Sequence, residues 1–442
     1  MSVVTIHMEI DILKRIIEGQ RKEIENKFAK EEIVGREGID VAKKYLSAPN
    51  VLVILGVRRS GKSIFSLLLA HSLKEKAAYI NFVDERLINV KTEDLDKVLQ
   101  AFYELYGDVE FIILDEIQQV HGWELFANRL RRTKKVIVTG SDSKLLSGEL
   151  ATHLTGRHLD FTIFPFSFTE SSGLKQNVYS TEEIAFARRE LEKYVEGSGL
   201  PEFRVFGSDI VREIYGDIVT KDCIKRHNIK EEKSFRELAG YLVSNFSNEF
   251  TYSKLTKIVG LKDQHTTKNY VQYLQEAYLL TVLERYSHKL KQQIIAPKKV
   301  YCIDHGFCNF VSFNISKNDG RLYENIVCVE LLRKKSRNPG TEVYYWKDHQ
   351  HNEVDFVVKK GTKVEQLIQV CYNLNNGPTK ERELKPLIKA AEELRCKNLL
   401  VITSDFEVTQ KEGKYKIQYT PLWKWLLGET IDFQTRKGKK IS

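Results

Sequence analysis

The 442-residue sequence has no apolar run approaching the roughly 20 residues that span a bilayer, which argues against a helical membrane protein. Its opening, MSVVTIHMEIDILKR, places Glu9 and Asp11 where a secretion signal needs an uninterrupted apolar segment, so a cytoplasmic location is expected. Cysteine is sparse: six residues, at 223, 302, 308, 328, 371 and 396, with no CxxC pair, which speaks against both a zinc site and a disulfide framework. There is no Gly/Ser-rich or Pro-rich tract, no internal repeat and no heptad pattern, so linkers, solenoids and coiled coils are set aside. Methionine occurs only twice beside abundant Lys and Glu, a balance associated with growth at high temperature. What is present is the composition of an ordinary globular protein, 42% hydrophobic and 29% charged, long enough for two or three domains. The net charge of +9 and the RKGKK tail suit nucleic acid, although many proteins with such a charge touch none.

The chemistry starts at VLVILGVRRSGKS. A continuous apolar run of the kind that forms a strand buried on both faces is followed by G-x-x-x-x-G-K-S, Gly56 to Ser63, and then by an apolar helical stretch. Glycines at these positions let backbone N–H groups turn around phosphate oxygens, and the following helix offers its positive end. The expected nucleotide contacts are therefore Gly56, Val57, Arg58, Arg59, Ser60, Gly61, Lys62, Ser63 and Ile64. Lys62 would reach the β- and γ-phosphates and Ser63 would ligate Mg2+. Downstream, FIILDE ends a second apolar strand in two acids, with Asp115 placed to hold Mg2+ and Glu116 to polarise the attacking water. A third strand, KKVIVTGSDS, brings small polar groups, Thr139, Ser141 and Asp142, of which Ser141 is counted with the nucleotide contacts. In LTGR, Arg157 is a candidate for stabilising the transferring phosphoryl group, in its own subunit or a neighbour's; the alternative is a loop salt bridge. The strands VLVIL, AAYINFV, FIILD, VIVTG and LDFTIF alternate with helical segments, which implies a parallel α/β sheet binding its ligand at the strands' C-terminal ends.

In this order, GVRRSGKS, LDEIQQVHGWE, VIVTGSDSKLLSGEL, LTGR and FPFSFTE resemble the archaeal and bacterial AAA+ P-loop ATPases of the helicase-like clade, from about residue 35 onward. The resemblance implies ATP with Mg2+, a helical lid after the ATPase core, then a winged helix and a nuclease-like C-terminal domain. The domains it implies are an N-terminal helical segment (1–34), the P-loop core (35–165), the lid (166–232), the winged helix (233–299) and the nuclease-like domain (300–442).

Residues 234–299 have content of their own. SFRELAGYLVSNFSNEF reads as one amphipathic helix, TYSKLTKIVGL as a short second one, and HTTKNYVQYLQEAYLL as a third. On the third, Thr267, Val271, Leu274 and Tyr278 fall at helical spacing and should face inward. His265, Lys268, Asn269, Gln272 and Gln275 are left outward, a polar, weakly basic face of the type a recognition helix offers to a DNA groove. A following strand pair would carry Lys289, Lys291, Lys298 and Lys299 as a wing against phosphates. The competing reading is a protein-docking module with a solvated hairpin.

GRLYENIVCVELLR, EVYYWKDHQHNEVDFVVKKG and LIQVCYNL resemble the PD-(D/E)XK nuclease fold, an α/β restriction-endonuclease-like domain. The resemblance implies Glu324 as the helix acid and Asp355 as the first strand acid of a metal site. Gln369 stands where a second strand acid is expected, and Cys371 replaces the lysine, with Lys363, Lys380 and Lys385 as possible substitutes. An amide oxygen brings no charge and a thiol cannot replace an ammonium, so metal binding and cutting are both in question. The expected function is a Mg2+-dependent ATPase acting on branched or double-stranded DNA, in an assembly of several copies if Arg157 works on a neighbour. The alternative is an ATP-driven switch that binds protein partners and never engages DNA.

Overall fold

The computed structural model describes residues 8–73, 76–140, 154–175, 178, 180–313, 318–373 and 377–428. The chain divides into two compact units, one of residues 1–165 with 276–278 and the other of residues 166–275 with 279–442.

The first unit is a five-stranded sheet in the order β2-β3-β4-β1-β5. Its strands are β1 (Val51–Leu55), β2 (Ala77–Asn81), β3 (Phe111–Asp115), β4 (Lys135–Thr139) and β5 (His158–Thr162). All four pairings are parallel, with Leu52 opposite Ile137, Val53 opposite Asp160, and Ile113 opposite both Tyr79 and Ile137. β1 and β3 are buried along their whole length, as helices on both faces of a parallel sheet require. The expected strands all form.

The N-terminal segment is part of this unit's core. Helix Ile10–Lys30 buries Leu13, Ile16 and Ile17 against it, each contributing on the order of 1.5–3 kcal/mol. Its Gln20 donates to the Asn81 carbonyl at 3.1 Å and accepts from the Asn81 N–H at 2.9 Å, which satisfies the backbone groups of Asn81 on the open edge of β2.

The second unit holds two sheets. The segment expected as a lid, 166–232, belongs here, as helices that include Thr181–Glu196 and Ser208–Asp217. Next come helix Glu232–Ser244, strand β6 (Asn248–Phe250), helices Tyr252–Ile258 and Gln264–Glu276, and strands β7 (Leu280–Glu284) and β8 (Lys298–Cys302). The three strands form an antiparallel sheet in the order β6-β8-β7.

Two expectations are corrected here. The helix expected to run on through NEF stops at Ser244. The Asn245 side chain donates to the Tyr241 carbonyl, and Ser247 adopts a positive φ that turns the chain into β6, its N–H bonded to the Val300 carbonyl at 2.7 Å. The expected lysine-bearing strand pair is interrupted by a short helix, Leu290–Ile295, which leaves Lys289 and Lys291 exposed while Lys298 and Lys299 are buried in β8.

The last part runs helix Asp319–Arg337, β9 (Thr341–Lys347), β10 (Glu353–Lys360), β11 (Lys363–Cys371), helix Gly377–Glu393, β12 (Leu399–Thr403), β13 (Val408–Glu412) and β14 (Tyr415–Pro421). Its six strands lie in the order β13-β14-β12-β11-β10-β9, antiparallel from β9 to β11 and parallel from β11 through β12 to β14. The β10–β9 register shifts between Val354 and Val357, the local irregularity that lets a strand re-aim a side chain, and Asp355 stands within it.

Candidate functional site

The loop after β1 has a conformation that only its glycines allow. Gly56 has φ 145°, and a Cβ there would sit 2.1 Å from the Ile163 carbonyl oxygen; Gly61, at φ 90°, opens helix Lys62–Ser72 from the left-handed region. Arg36 fixes the loop from below, donating to the Ser60 carbonyl and the Phe164 carbonyl at 2.7 Å each. Lys62 is buried, its ammonium 3.2 Å from the Gly56 carbonyl and 3.1 Å from that of Val57. The wholly buried Ser60 hydroxyl has no hydrogen-bond partner among the described residues.

Beside the loop stands Asp115, fully buried at the end of β3. Ser63 donates to its Oδ1 at 3.1 Å, Thr139 from β4 donates to the same oxygen, and Tyr79 from β2 donates to Oδ2 at 2.6 Å. Burial, then the Asp115 charge, pushes the Tyr79 hydroxyl far above its ordinary range, so it stays a donor. Glu116 follows in a left-handed conformation, φ 53° and ψ 38°, that non-glycine residues adopt where the fold imposes it. Its N–H is held by the Thr139 hydroxyl at 3.1 Å, and its carboxylate accepts from the Gln118 amide. The set fits a Mg2+–nucleotide pair: a hydroxyl–carboxylate pair for the ion, a turn packed so closely that only glycine fits at Gly56, and a buried Ser60 hydroxyl with no partner among the described residues.

Replacing Tyr79 with Phe removes one charge-assisted hydrogen bond to a buried carboxylate and should cost about 1.5 kcal/mol. Thermal unfolding of the full chain checks this; an unchanged midpoint would leave Tyr79 without a part in holding Asp115.

Arg157 requires a correction. It precedes β5, and its carbonyl accepts from the Val51 N–H at the start of β1, so it marks the N-terminal end of the sheet. Five strand steps, about 16 Å, separate Val51 at that end from Gly56. Arg157 cannot serve a phosphate held by its own chain. Ser141 and Asp142 lie outside the described residues.

A second charged cluster is buried in the other unit. The Lys299 ammonium lies 2.7 Å from Glu324 Oε1, 2.6 Å from Glu353 Oε1 and 3.3 Å from Asp355 Oδ1. Tyr301 donates to Glu324 at 2.7 Å, the Val370 N–H to Asp355 at 2.9 Å, and Lys347 to the other Glu353 oxygen at 2.9 Å. Gln369 comes to the cluster as expected, but its amide N–H2 is committed to Glu383 at 2.8 Å and its oxygen faces the Asp355 N–H at 3.4 Å. Cys371 is buried, and burial followed by the nearby Glu383 charge pushes its thiol up to about 11, so it is neutral at physiological pH. Lys363 begins β11 and is exposed, as is Lys385; the Lys380 side chain lies outside the described residues. The lysine that reaches the acids is Lys299, from β8. Among the described residues no group of three or more His, Cys, Asp or Glu side chains is arranged to hold a metal ion. Glu324, Asp355 and Gln369 converge, yet with an ammonium at their centre they do not fit a divalent ion.

On the third helix of the small-sheet region, Thr267, Val271 and Leu274 are buried as expected, joined by Tyr270; Tyr278 does not continue their spacing, because the helix ends at Glu276 and Tyr278 lies beyond it, half-buried and with a positive φ. His265, Lys268 and Gln272 are exposed; Asn269 and Gln275 are half-exposed.

Comparison with known proteins agrees with the architecture of the first unit. Residues 48–172 match a family model described as an AAA domain, and residues 189–319 and 319–425 match two domains of unknown function (DUF8612 and DUF4143). The chain is 35% identical over 439 residues to "Uncharacterized protein MJ1544" of Methanocaldococcus jannaschii, an alignment covering 91% of this chain and 96% of that one. The chain belongs to that protein's family. A protein of Haemophilus influenzae is 27% identical over 395 residues, covering 85% of this chain and 94% of its own. A solved structure, the Walker-type ATPase PABY2304 of Pyrococcus abyssi, is 16% identical with a TM-score of 0.42, over 64% of this chain and 97% of that one. This family member is P-loop ATPase-like, with a mixed α/β build around a parallel sheet. No helix among the described residues is long and apolar enough to cross a membrane.

Sequence reasoning missed Arg36, Tyr79, Gln118 and the place of Lys299. A lone arginine in VGREG and a tyrosine inside a strand carry no local signal. Arg157 did carry one: a residue just before a parallel strand lies at the sheet end opposite the phosphate loop.

Proposed function

We propose that this protein is a Mg2+-dependent ATPase that binds DNA and couples its nucleotide state to conformational change in DNA processing. The observation that carries the ATPase reading is the buried Asp115 carboxylate joined to Ser63 beside a glycine-built loop, with Glu116 next in sequence. Backbone N–H groups from Gly56 to Ser63 would cradle the phosphates, and the Lys62 ammonium would exchange its carbonyl partners for γ-phosphate oxygens. Bound between Ser63 and Asp115, Mg2+ would supply neutralisation of charge on the phosphate oxygens. Glu116, oriented by Gln118 and Thr139, would accept the proton of the attacking water. An arginine from a neighbouring copy remains the role open to Arg157.

The DNA reading rests on charge. Between Thr251 and Gln275 the only acid is Asp263, against Lys254, Lys257, Lys262 and Lys268, all exposed. Asp263 is spent on the start of helix Gln264–Glu276, accepting from the Thr266 N–H at 2.8 Å. The order helix, β6, two helices, β7 and β8 supports a winged-helix reading, with His265, Lys268, Asn269 and Gln272 toward a groove and Lys289 and Lys291 beyond it. With four such phosphate contacts, affinity for duplex DNA should fall about 100-fold between about 50 and 200 mM salt. The salt dependence of retention on linear and branched DNA measures this. A second reading, protein docking, is favoured by Leu290, Ile294 and Ile295, which are 69%, 57% and 71% exposed beside those lysines. Absence of DNA binding at low salt would decide for it.

The order helix, three strands, helix, strand from Asp319 to Thr403 supports a PD-(D/E)XK-like reading of the last domain. Gln369, neutral Cys371 and the buried Lys299 support a form of it that does not cut.

A further inference from the structure

Helix Asp319–Arg337, β8 and β10 each send one ionisable group, Glu324, Lys299 and Asp355, to a common point, and Glu353 at the start of β10 adds a fourth. An ammonium has three N–H donors, and Lys299 has three carboxylates within ion-pair distance. Its side chain is 4% exposed, so water is almost excluded. Burial alone would lower the ammonium's pKa, but the charges of Glu324, Asp355 and Glu353 outweigh it and hold the group well above its usual range. The outer partners are also charged: Lys347 bridges Glu353 and Glu249, and Tyr345 donates to Glu249 at 2.9 Å.

A divalent cation asks for about six oxygen ligands close around it. In this cluster the point nearest the three carboxylates is taken by nitrogen, and Gln369, the remaining residue of the set, is held by Glu383. Two cations cannot share that point.

We propose that Lys299 is the resident cation of this cluster: its ammonium stands where a divalent ion would have to sit, so the domain takes no metal there, and removing the ammonium turns the acids into a divalent-cation site. The ammonium also ties β8, from the small sheet, to the acids of the large one. The inference is independent of nucleotide hydrolysis, because no residue of the phosphate loop takes part.

The test uses the full chain without nucleotide and Mn2+ as the probe, counted by electron paramagnetic resonance. Wild type and Asp355→Asn should bind the same number of ions. Lys299→Met should bind one more per chain, melt earlier than wild type in chelator, and regain most of that loss when Mn2+ is added. Lys299→Met/Asp355→Asn should lose both gains. An ion bound by wild type and lost in Asp355→Asn overturns the proposal, as does a folded Lys299→Met that takes no extra Mn2+. If Lys299→Met does not fold, the comparison of wild type with Asp355→Asn still decides whether the ammonium excludes the metal. The phosphate-loop site is unaltered in every variant, so its own ion cancels, and a failed ATPase reading leaves the result intact.

Discussion

Lys62→Ala should leave the protein folded and bring nucleotide hydrolysis down at least about 10²–10³-fold, the usual cost of deleting one preorganised group that meets developing charge. The ammonium is buried at the mouth of a loop whose carbonyls, Gly56 and Val57, hold it at 3.2 and 3.1 Å. Those bonds keep the charge in place without a phosphate, so little reorganisation is required when one arrives. The fold itself rests on other contacts: the buried strands β1 and β3, the Arg36 clamp, and the helix that seats Leu13, Ile16 and Ile17. Phosphate release and thermal unfolding of the same preparation separate the two effects. Hydrolysis at the parent rate would mean that the loop is not the site of turnover.

The phosphate loop and its sheet were legible because their signals are local. A strand buried on both faces is a run of apolar residues, and a loop that must turn its amides inward needs glycine at fixed spacing, so VLVIL and Gly56 to Ser63 could be read directly. Asp115 followed from the same logic, as an acid at the end of a buried strand. What escaped depends on distant parts of the chain. Tyr79 is one residue in an apolar strand until β2 and β3 pair and set its hydroxyl against Asp115. Lys298 and Lys299 look like a solvated pair, since alternation along a strand sends neighbours to opposite faces and neither face was known to be buried. Each is drawn in by an acid: Lys298 by Glu284 on β7, 14 residues back in sequence, and Lys299 by acids 25 to 56 residues ahead. The lysine wing was misplaced for a local reason: LKQQII has the apolar spacing of a helical turn and the structure uses it as one.

Glu116→Gln should separate binding from turnover. The substitution keeps size and shape, leaves the backbone N–H bonded to Thr139, and does not touch Lys62, Ser63 or Asp115. Nucleotide should therefore bind as in the parent. Hydrolysis should fall about 10²–10⁴-fold, because an amide cannot take the proton from the attacking water. Gln118 sharpens the prediction: its amide now donates to a carboxylate, and in the variant it faces another amide, which can still accept through its oxygen. The side chain should thus stay where it is, and the loss belongs to proton acceptance rather than to position. Equilibrium binding of a labelled nucleotide alongside single-turnover hydrolysis reads the two quantities independently. Weakened binding with an unchanged chemical step would put Glu116 among the groups that hold the nucleotide and leave the water to another base. If binding holds and turnover stops, the variant traps the nucleotide-bound state. DNA retention by that trapped form, compared with the nucleotide-free protein, then reads out the proposed coupling directly: equal retention in the two forms would sever hydrolysis from DNA.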